Sequence, residues 1–442
     1  MRLLEGPNEV SIIDPNAISP LMGATGLPKS QCWAGRNLNP PIVSLISIRD
    51  SAEHARRRRP WNRAFSTAAL REYERLVIAR VAQLLECLAE QQGPIDLSKW
   101  ISHFTYDVMG DVVFGGGSEA LRDGDHEGHL KLIEDGIIAG TLYEHLPWLA
   151  SLAKKIPGVA EGVKRMRKMG MQRAAMRTER GSESKDVFYY LNNDDGAEST
   201  SPPPAQAVAE GMLAIVAGSD TTSSTTCIIV WLLLRNPGTY HKLREEVDKF
   251  YPSGSDPLDT RHYKSMVYLD AVINEALRLY PAVLSGSQRS PAIGSGGAGM
   301  GSYFFPEGTT ARIHMYTLHR DARNFSPCPD SFWPERWLLV DAEHSDNLKL
   351  SDDGVTANLR TTKEFRHNSA AFIPFSMGPA NCAGKNLALM EMRMVICSLV
   401  QRFDMTFANG WNHDELEQNM QDIMVTKIGQ LPIQLCKRRE AW

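Results

Sequence analysis

The stretch Phe375-Ser-Met-Gly378-Pro-Ala-Asn-Cys382-Ala-Gly384 contains one cysteine on a loop that two glycines enclose. Residues 385–400 follow, and their Leu, Met and Ala side chains recur at three- and four-residue steps, which predicts an amphipathic helix. The cysteine therefore stands just before a helix N-terminus, where free N–H groups and the helix dipole stabilise a thiolate. Such a thiolate can bind a haem iron. The simpler interpretation is a cysteine that packs as a small hydrophobic residue.

The bulk composition is that of an ordinary globular protein. The chain has 442 residues, of which 43% are hydrophobic and 23% charged, and its net charge is −4. This balance gives no general attraction for nucleic acid or anionic lipid. The seven cysteines are widely spaced, which excludes a paired-cysteine zinc motif and a dense disulfide framework and favours a reducing compartment.

Local patterning predicts a mainly α-helical fold with a smaller β portion. Residues 1–50 are rich in Pro and Gly and look loop-like, whereas helical patterns fill about 50–280. Short β-prone segments lie at about 284–318 and 421–436. No linker-like boundary divides the chain, so we expect a single domain over residues 1–442.

Two local features are predicted near the C-terminus. Residues 423–427 and 432–436 flank Gly429 and should form a hairpin. Residues 341–368 are polar and charged, which is typical of a surface insertion.

The most apolar segment is residues 211–234. Its centre, Ser219 to Thr226, includes an aspartate and many hydroxyls, so a buried core helix is favoured over a membrane span. The first fifteen residues contain no apolar run long enough for a signal or anchor helix.

The cysteine loop resembles the haem-binding loop of the cytochromes P450, because Phe375, Gly378 and Gly384 stand at matching distances from Cys382. The resemblance implies that Cys382 is the axial ligand of a haem b iron, and that these three residues shape the cofactor site. The glycines would let the backbone approach a flat macrocycle. One position departs: Ala380 stands where the family usually has a basic residue, which removes one partner for a haem propionate.

A second family resemblance lies in Glu275 and Arg278, which are three residues apart on a predicted helix and share a face. Alone, such a pair is usually an exposed ion pair. The family also has a later Pro-Glu-Arg segment, which here supplies Arg336. The resemblance implies a structural network of Glu275, Arg278 and Arg336, buried and therefore fully paired.

The central helix carries Gly218, Asp220 and Thr221 in an otherwise apolar sequence, where polar side chains need partners. In one interpretation the Thr221 hydroxyl bonds to the carbonyl four residues earlier and bends the helix. In the other, the residues face a pocket as a proton relay, and Gly218 leaves room for dioxygen. The motif matches the family's acid–alcohol pair, which implies that Thr221 holds dioxygen and a water chain while Asp220 feeds protons.

Four consecutive arginines, residues 56–59, are compatible with a nucleic-acid patch, but no other nucleic-acid feature accompanies them. The segment resembles the family's propionate-binding helix, in which an aromatic residue or His precedes an Arg by four. These are His54 and Arg58, one helical turn apart. Arg289 is a further propionate candidate by the same resemblance, because Arg–carboxylate pairing is strong.

By resemblance, Ala214, residues 283–285 and Val425 approach the substrate. They are mostly small or apolar, which suits a hydrophobic substrate, although ordinary core packing explains them equally well.

The activity that the resemblance implies is insertion of one oxygen atom from O2 into a small hydrophobic molecule, in secondary metabolism or xenobiotic oxidation. Because the sequence has no flavin or nicotinamide fingerprint, we expect electrons from NADPH through a separate flavoprotein reductase. We expect a monomer without a nucleic-acid partner. The alternatives are a reductase-independent isomerase or dehydratase of the same fold, and an inactive truncated relic.

The front of the chain departs from the family. Eukaryotic members usually begin with a membrane anchor, a first helix and the first strands of a small sheet, and we expect this chain to begin after them. The expected location is the cytoplasm or the periphery of the endoplasmic reticulum membrane.

Overall fold

A computed structural model describes residues 2–6, 8–36, 42–153, 161–181, 185–300, 303–342 and 365–438. The fold is 58% helical with about 10% strand, which confirms the predicted class. The helices are α1 (Ile18–Met22), α2 (Cys32–Gly35), α3 (Ser51–Ala64), α4 (Thr67–Ala89), α5 (Leu97–Phe114), α6 (Ala120–Asp123), α7 (His129–His145), α8 (Pro147–Ala153), α9 (Glu161–Arg180), α10 (Val187–Leu191), α11 (Pro204–Arg235), α12 (Pro237–Phe250), α13 (Val267–Leu279), α14 (Met315–His319), α15 (Glu335–Ala342), α16 (Lys385–Arg402) and α17 (Glu415–Gln418).

Helix ends follow local sequence rules. The Asp50 side chain accepts a hydrogen bond from the Glu53 N–H at 2.7 Å and caps α3. Helix α5 ends at Gly115, which adopts the left-handed conformation at φ 68°. Helices α11 and α12 both begin with proline at the first helical position, where its missing N–H costs nothing.

Helix α11 forms the centre of the core, where it packs most extensively on α5 and also on α9 and α16. Its length and composition would allow it to cross a membrane, but 67% of its most apolar window is buried inside the protein. The segment from Cys227 to Leu233 is buried on all sides, and this burial of apolar surface stabilises the helical body.

The β portion consists of small, separate sheets. Strands β1 (Arg2–Gly6) and β2 (Glu9–Ile12) pair antiparallel, and β2 pairs parallel with a later strand, β6. The remaining strands are β3 (Ile95–Asp96), β4 (Gly297–Met300), β5 (Tyr303–Pro306), β6 (Thr310–Ile313), β7 (Phe325–Ser326), β8 (Arg366–His367), β9 (Phe403–Phe407), β10 (Gln421–Asp422), β11 (Thr426–Lys427) and β12 (Pro432–Lys437).

Two local predictions are wrong. The loop-like front of the chain contains β1 and β2, so strands of the small sheet are present before residue 13. The predicted C-terminal hairpin does not form, because β11 pairs with β10 whereas β12 pairs with β9 and β3. The predicted insertion lies largely outside the described residues, which resume at residue 365.

Candidate active site

A cavity of about 660 Å³ lies between α11 and the cysteine loop. Helices α3 and α7 and the segment after α13 also contribute to its wall. The elements that the sequence singled out separately, at residues 54–58, 214–225, 282–288 and 374–384, therefore meet around one space.

The cysteine loop is fixed by backbone contacts. The Cys382 N–H donates to the Phe375 carbonyl at 3.0 Å. Gly378 has φ 71°, and a Cβ there would lie 2.1 Å from the Met22 carbonyl oxygen, so glycine is required by close packing against α1. A Cβ at Gly384 would make only ordinary contact with the Phe65 ring at 3.6 Å.

Cys382 is exposed, and its side chain lines the cavity. Burial raises the pKa of its thiol, while the N–H groups of Gly384 and Lys385 and the Arg58 charge act in the opposite direction. The protein alone thus leaves the thiol above its usual pKa. A metal ion would reverse that balance, because a coordinating thiol is deprotonated outright.

Basic side chains gather beside α3: Lys29, His54 and Arg58 line the cavity, and Arg289 pairs with Lys29 in an isolated β-bridge. Burial, followed by the charge of Arg289 and then that of Arg58, lowers the pKa of Lys29 to about 7. Burial and the charges of Lys29, Arg58 and Arg289 lower the pKa of His54 to about 4. We name Lys29, His54, Arg58 and Arg289 the basic cluster; nearby positive charges of this kind disfavour the charged forms of Lys29 and His54.

The basic cluster fits the two carboxylates of a haem. Arg289 is buried, and its Nε has no hydrogen-bond partner among the residues that the structure describes. The negative charge of Glu210 acts in the opposite direction and raises the pKa of Lys29, but its effect is smaller than that of burial, Arg289 or Arg58. An anionic ligand would satisfy both the unpaired donor and the mutual repulsion.

Lys29 was missed from the sequence. Its Nζ donates to the carbonyls of Leu45 and Ile46 at 3.1 and 2.6 Å, and its side chain lines the cavity. It belongs to an irregular loop, where no periodicity marks a residue as inward-facing, so only the tertiary fold reveals it.

Arg58 also holds the cysteine loop. Its Nη1 donates to the Asn381 carbonyl at 2.7 Å and its Nη2 to the Asn381 side chain at 3.0 Å. This residue, predicted to bind a propionate, thus ties α3 to the residue preceding Cys382.

Thr221 lines the cavity, and its hydroxyl donates to the Ala217 carbonyl at 2.7 Å. Asp220, beside it, is partly buried. Burial, together with the Glu134 charge, raises the pKa of Asp220 to about 6, and Lys427 acts in the opposite direction. Lys427 and Glu134 form an ion pair, and both of its charges act on Asp220.

Gly218 has a packing role. A Cβ at Gly218 would lie 2.4 Å from the Met109 sulfur, so this side chain already occupies the space that the missing Cβ leaves.

The predicted structural network is assembled around Glu275. Glu275, Arg278 and Arg336 are all 0% exposed. The Glu275 carboxylate accepts from Arg278 Nε and Nη2, both at 2.8 Å, and from Arg336 Nε at 3.0 Å. It also accepts from the Trp337 indole at 3.0 Å and the Trp333 N–H at 3.1 Å.

Four of the positions expected to approach the substrate line the cavity: Ala214, Val283, Ser285 and Val425. Leu284, between two of them, instead offers its carbonyl to the Tyr316 N–H. The wall is mixed, because Thr141, Glu144 and Gln288 also line it.

Comparisons with known proteins agree with this geometry. The family model described as Cytochrome P450 matches residues 5–435. A cytochrome P450 monooxygenase of Fusarium pseudograminearum is 33% identical over 91% of this chain and 69% of its own length. Another, of Eupenicillium brefeldianum, is 31% identical over 98% of this chain and 83% of its own. Tryprostatin B 6-hydroxylase of Aspergillus fumigatus is 28% identical over 98% and 73%. The chain therefore belongs to the cytochrome P450 family of haem-dependent monooxygenases.

Proposed function

We propose that this enzyme binds haem b through Cys382 and hydroxylates a small hydrophobic molecule, with electrons from NADPH through a separate flavoprotein reductase. The observation that carries the proposal is the position of the exposed Cys382 side chain in the wall of a cavity of about 660 Å³, which Lys29, His54 and Arg58 of the basic cluster also line. We further propose that the chain acts as one domain and as a monomer.

Different residues at the cavity would bind different parts of the haem. Cys382 would supply the axial sulfur, Phe375, Gly378 and Gly384 would shape the loop around it, and Arg58 fixes that loop through Asn381. His54, Arg289 and Lys29 would pair with the propionates. The bound haem would supply the iron that activates dioxygen.

Protein side chains, Asp220 and Thr221, would transfer protons toward the cavity. Asp220 would exchange protons with water near the Lys427–Glu134 pair and pass them toward Thr221. A pKa of about 6 suits a group that both accepts and releases protons near neutral pH. Thr221 would have to turn its hydroxyl from the Ala217 carbonyl toward the cavity in order to donate there.

The substrate class follows from the cavity wall. Apolar groups predominate near α11 and in the last strands, including Ala214, Leu213 and Val425, which favours a hydrophobic body. The Fusarium and Eupenicillium relatives are named as monooxygenases, and the Aspergillus relative is named as a hydroxylase of tryprostatin B. These names support a role in fungal secondary metabolism.

The test uses purified holoprotein and isotopically labelled dioxygen. Apolar compounds are first screened for displacement of the iron's water, read as a spin-state shift. Those that bind are incubated with NADPH, a flavoprotein reductase and ¹⁸O2. We expect one labelled oxygen atom in the product and none without reductase. Turnover without NADPH and reductase would favour an isomerase or dehydratase and overturn the proposal.

A further inference from the structure

Glu391 lies on α16, the helix that follows the cysteine loop, and is 1% exposed. Both Glu391 and Cys382 line the cavity. The Glu391 Oε2 atom is buried and has no hydrogen-bond partner in the described part of the chain. An isolated buried carboxyl is unfavourable in its charged form, so this side chain is poised to exist as a neutral acid.

Within the described ranges of the chain, no charged group contributes to the pKa shift of Glu391. Burial alone raises its pKa to about 8. Helices α4, α11, α12 and α13 and strand β9 pack on α16. The buried titratable groups of these elements are Tyr73 and Arg80 on α4, Glu210 and Cys227 on α11, and Tyr268, Glu275 and Arg278 on α13. Lys385 and Arg393 lie on α16 itself, and Arg393 pairs with Asp270 at 2.6 Å. None of these groups contributes to the shift.

Glu391 is expected to respond to the charge of a haem at Cys382. It follows Cys382 by nine positions, most of them within α16, and the helical rise gives a separation on the order of 13 Å. At an effective dielectric constant of about 20, one added negative charge at that distance strengthens proton binding about tenfold.

We propose that Glu391 is a redox-linked proton site, whose carboxylate binds a proton from solvent about tenfold more tightly once the haem iron has accepted one electron from its reductant. The inference rests on the proposed function, because it requires haem bound at Cys382. The reductant would supply the electron that the iron accepts, and a solvent or buffer acid would supply the proton that forms one O–H bond on the carboxylate, leaving the conjugate base of that acid in solution. Uptake of the proton offsets the added negative charge inside the protein.

The decisive experiment is potentiometry of the iron(III)/iron(II) couple between pH 7 and 10. In the wild-type enzyme the potential should fall between about pH 8 and 9 and level off above. The total fall should be about 59 mV, which is a tenfold change for one electron. The potential of Glu391→Gln should equal that of the wild type at pH 7, where both side chains are neutral, and should not fall as the pH is raised. A proton-indicator dye should report uptake of about half a proton per electron near pH 8.5.

The matched control is Asp422→Asn, the same acid-to-amide change at an exposed carboxyl that also lines the cavity. It should keep the full pH-dependent fall. If Glu391→Gln does not retain haem, Glu391→Met is measured in its place and should also be flat. A fall that persists in the Glu391 variants, or that is absent from the wild type, overturns the inference. A wild type without the carbon monoxide spectrum of a thiolate-bound haem refutes the proposed function instead.

Discussion

Replacement of Glu275 by glutamine tests the buried network most sharply. The carboxylate accepts five hydrogen bonds, three of them from Arg278 and Arg336. The amide keeps the shape but leaves two fully buried guanidinium groups without a counter-charge. Removal of one partner from a buried ion pair typically destabilises a protein by about 3–5 kcal/mol. That is a large share of the roughly 5–15 kcal/mol that stabilises a folded protein.

The assay is urea unfolding of Glu275→Gln holoprotein at pH 7, followed by far-ultraviolet circular dichroism and by the haem absorbance. The matched control is Glu53→Gln, because Glu53 and Arg56 have the same three-residue spacing and a bidentate contact but lie on the exposed surface. That variant should lose less than about 1 kcal/mol. Equal losses in the two variants would refute the reasoning.

The pH dependence gives a second check on Glu275. Burial would raise its pKa, but the charges and hydrogen bonds of Arg278 and Arg336 hold the pKa below its usual value. A carboxyl with a depressed pKa stabilises the fold above its unfolded pKa of about 4.3, and this contribution is lost as the pH falls toward the folded pKa. The difference between wild type and Glu275→Gln should therefore shrink below about pH 4.

Three further changes test the site. Asp220→Asn should slow turnover by about 10–100-fold. It should also raise the free energy of unfolding at pH 8, because a carboxyl whose pKa is raised to about 6 destabilises the fold once it is ionised. A variant that is slow and less stable would contradict this. Gly218→Ala should lower the melting temperature more in the wild type than in a Met109→Ala background. In the wild type the added Cβ would lie 2.4 Å from the Met109 sulfur, and Met109→Ala removes that sulfur. Equal losses of melting temperature in the two backgrounds would contradict the assigned packing. Lys29→Met should release haem to an acceptor protein several-fold faster than the wild type does. The control Lys168→Met, at an exposed lysine, should release haem at the wild-type rate. Equal release rates in the two variants would show that Lys29 is not part of the cofactor site.

The sequence was most informative where chemistry requires fixed residue types at fixed spacing. Cys382, Glu275 and Arg278 could be singled out in this way, and the mainly α-helical class followed from long apolar periodicities. Helical hydrogen bonds are local, so their pattern is readable from a short window.

The sequence was least informative where distant segments pair. Strand β2 joins the sheet through β6, about three hundred residues later, and a four-residue strand carries too weak a signal to be found alone. The prediction of a C-terminal hairpin is wrong for the same reason. Strand β12 pairs with β9, and no short turn joins these two strands in the sequence. Lys29 could not be found either, because burial of a loop lysine depends on elements far along the chain.

The carbon monoxide difference spectrum of the reduced protein tests the central claim most directly. The wild type should show the Soret band of a thiolate-bound haem, and Cys382→Ala should lose that band together with oxygen insertion. An unchanged band and undiminished turnover in Cys382→Ala would contradict the assignment of Cys382 as the ligand of the iron.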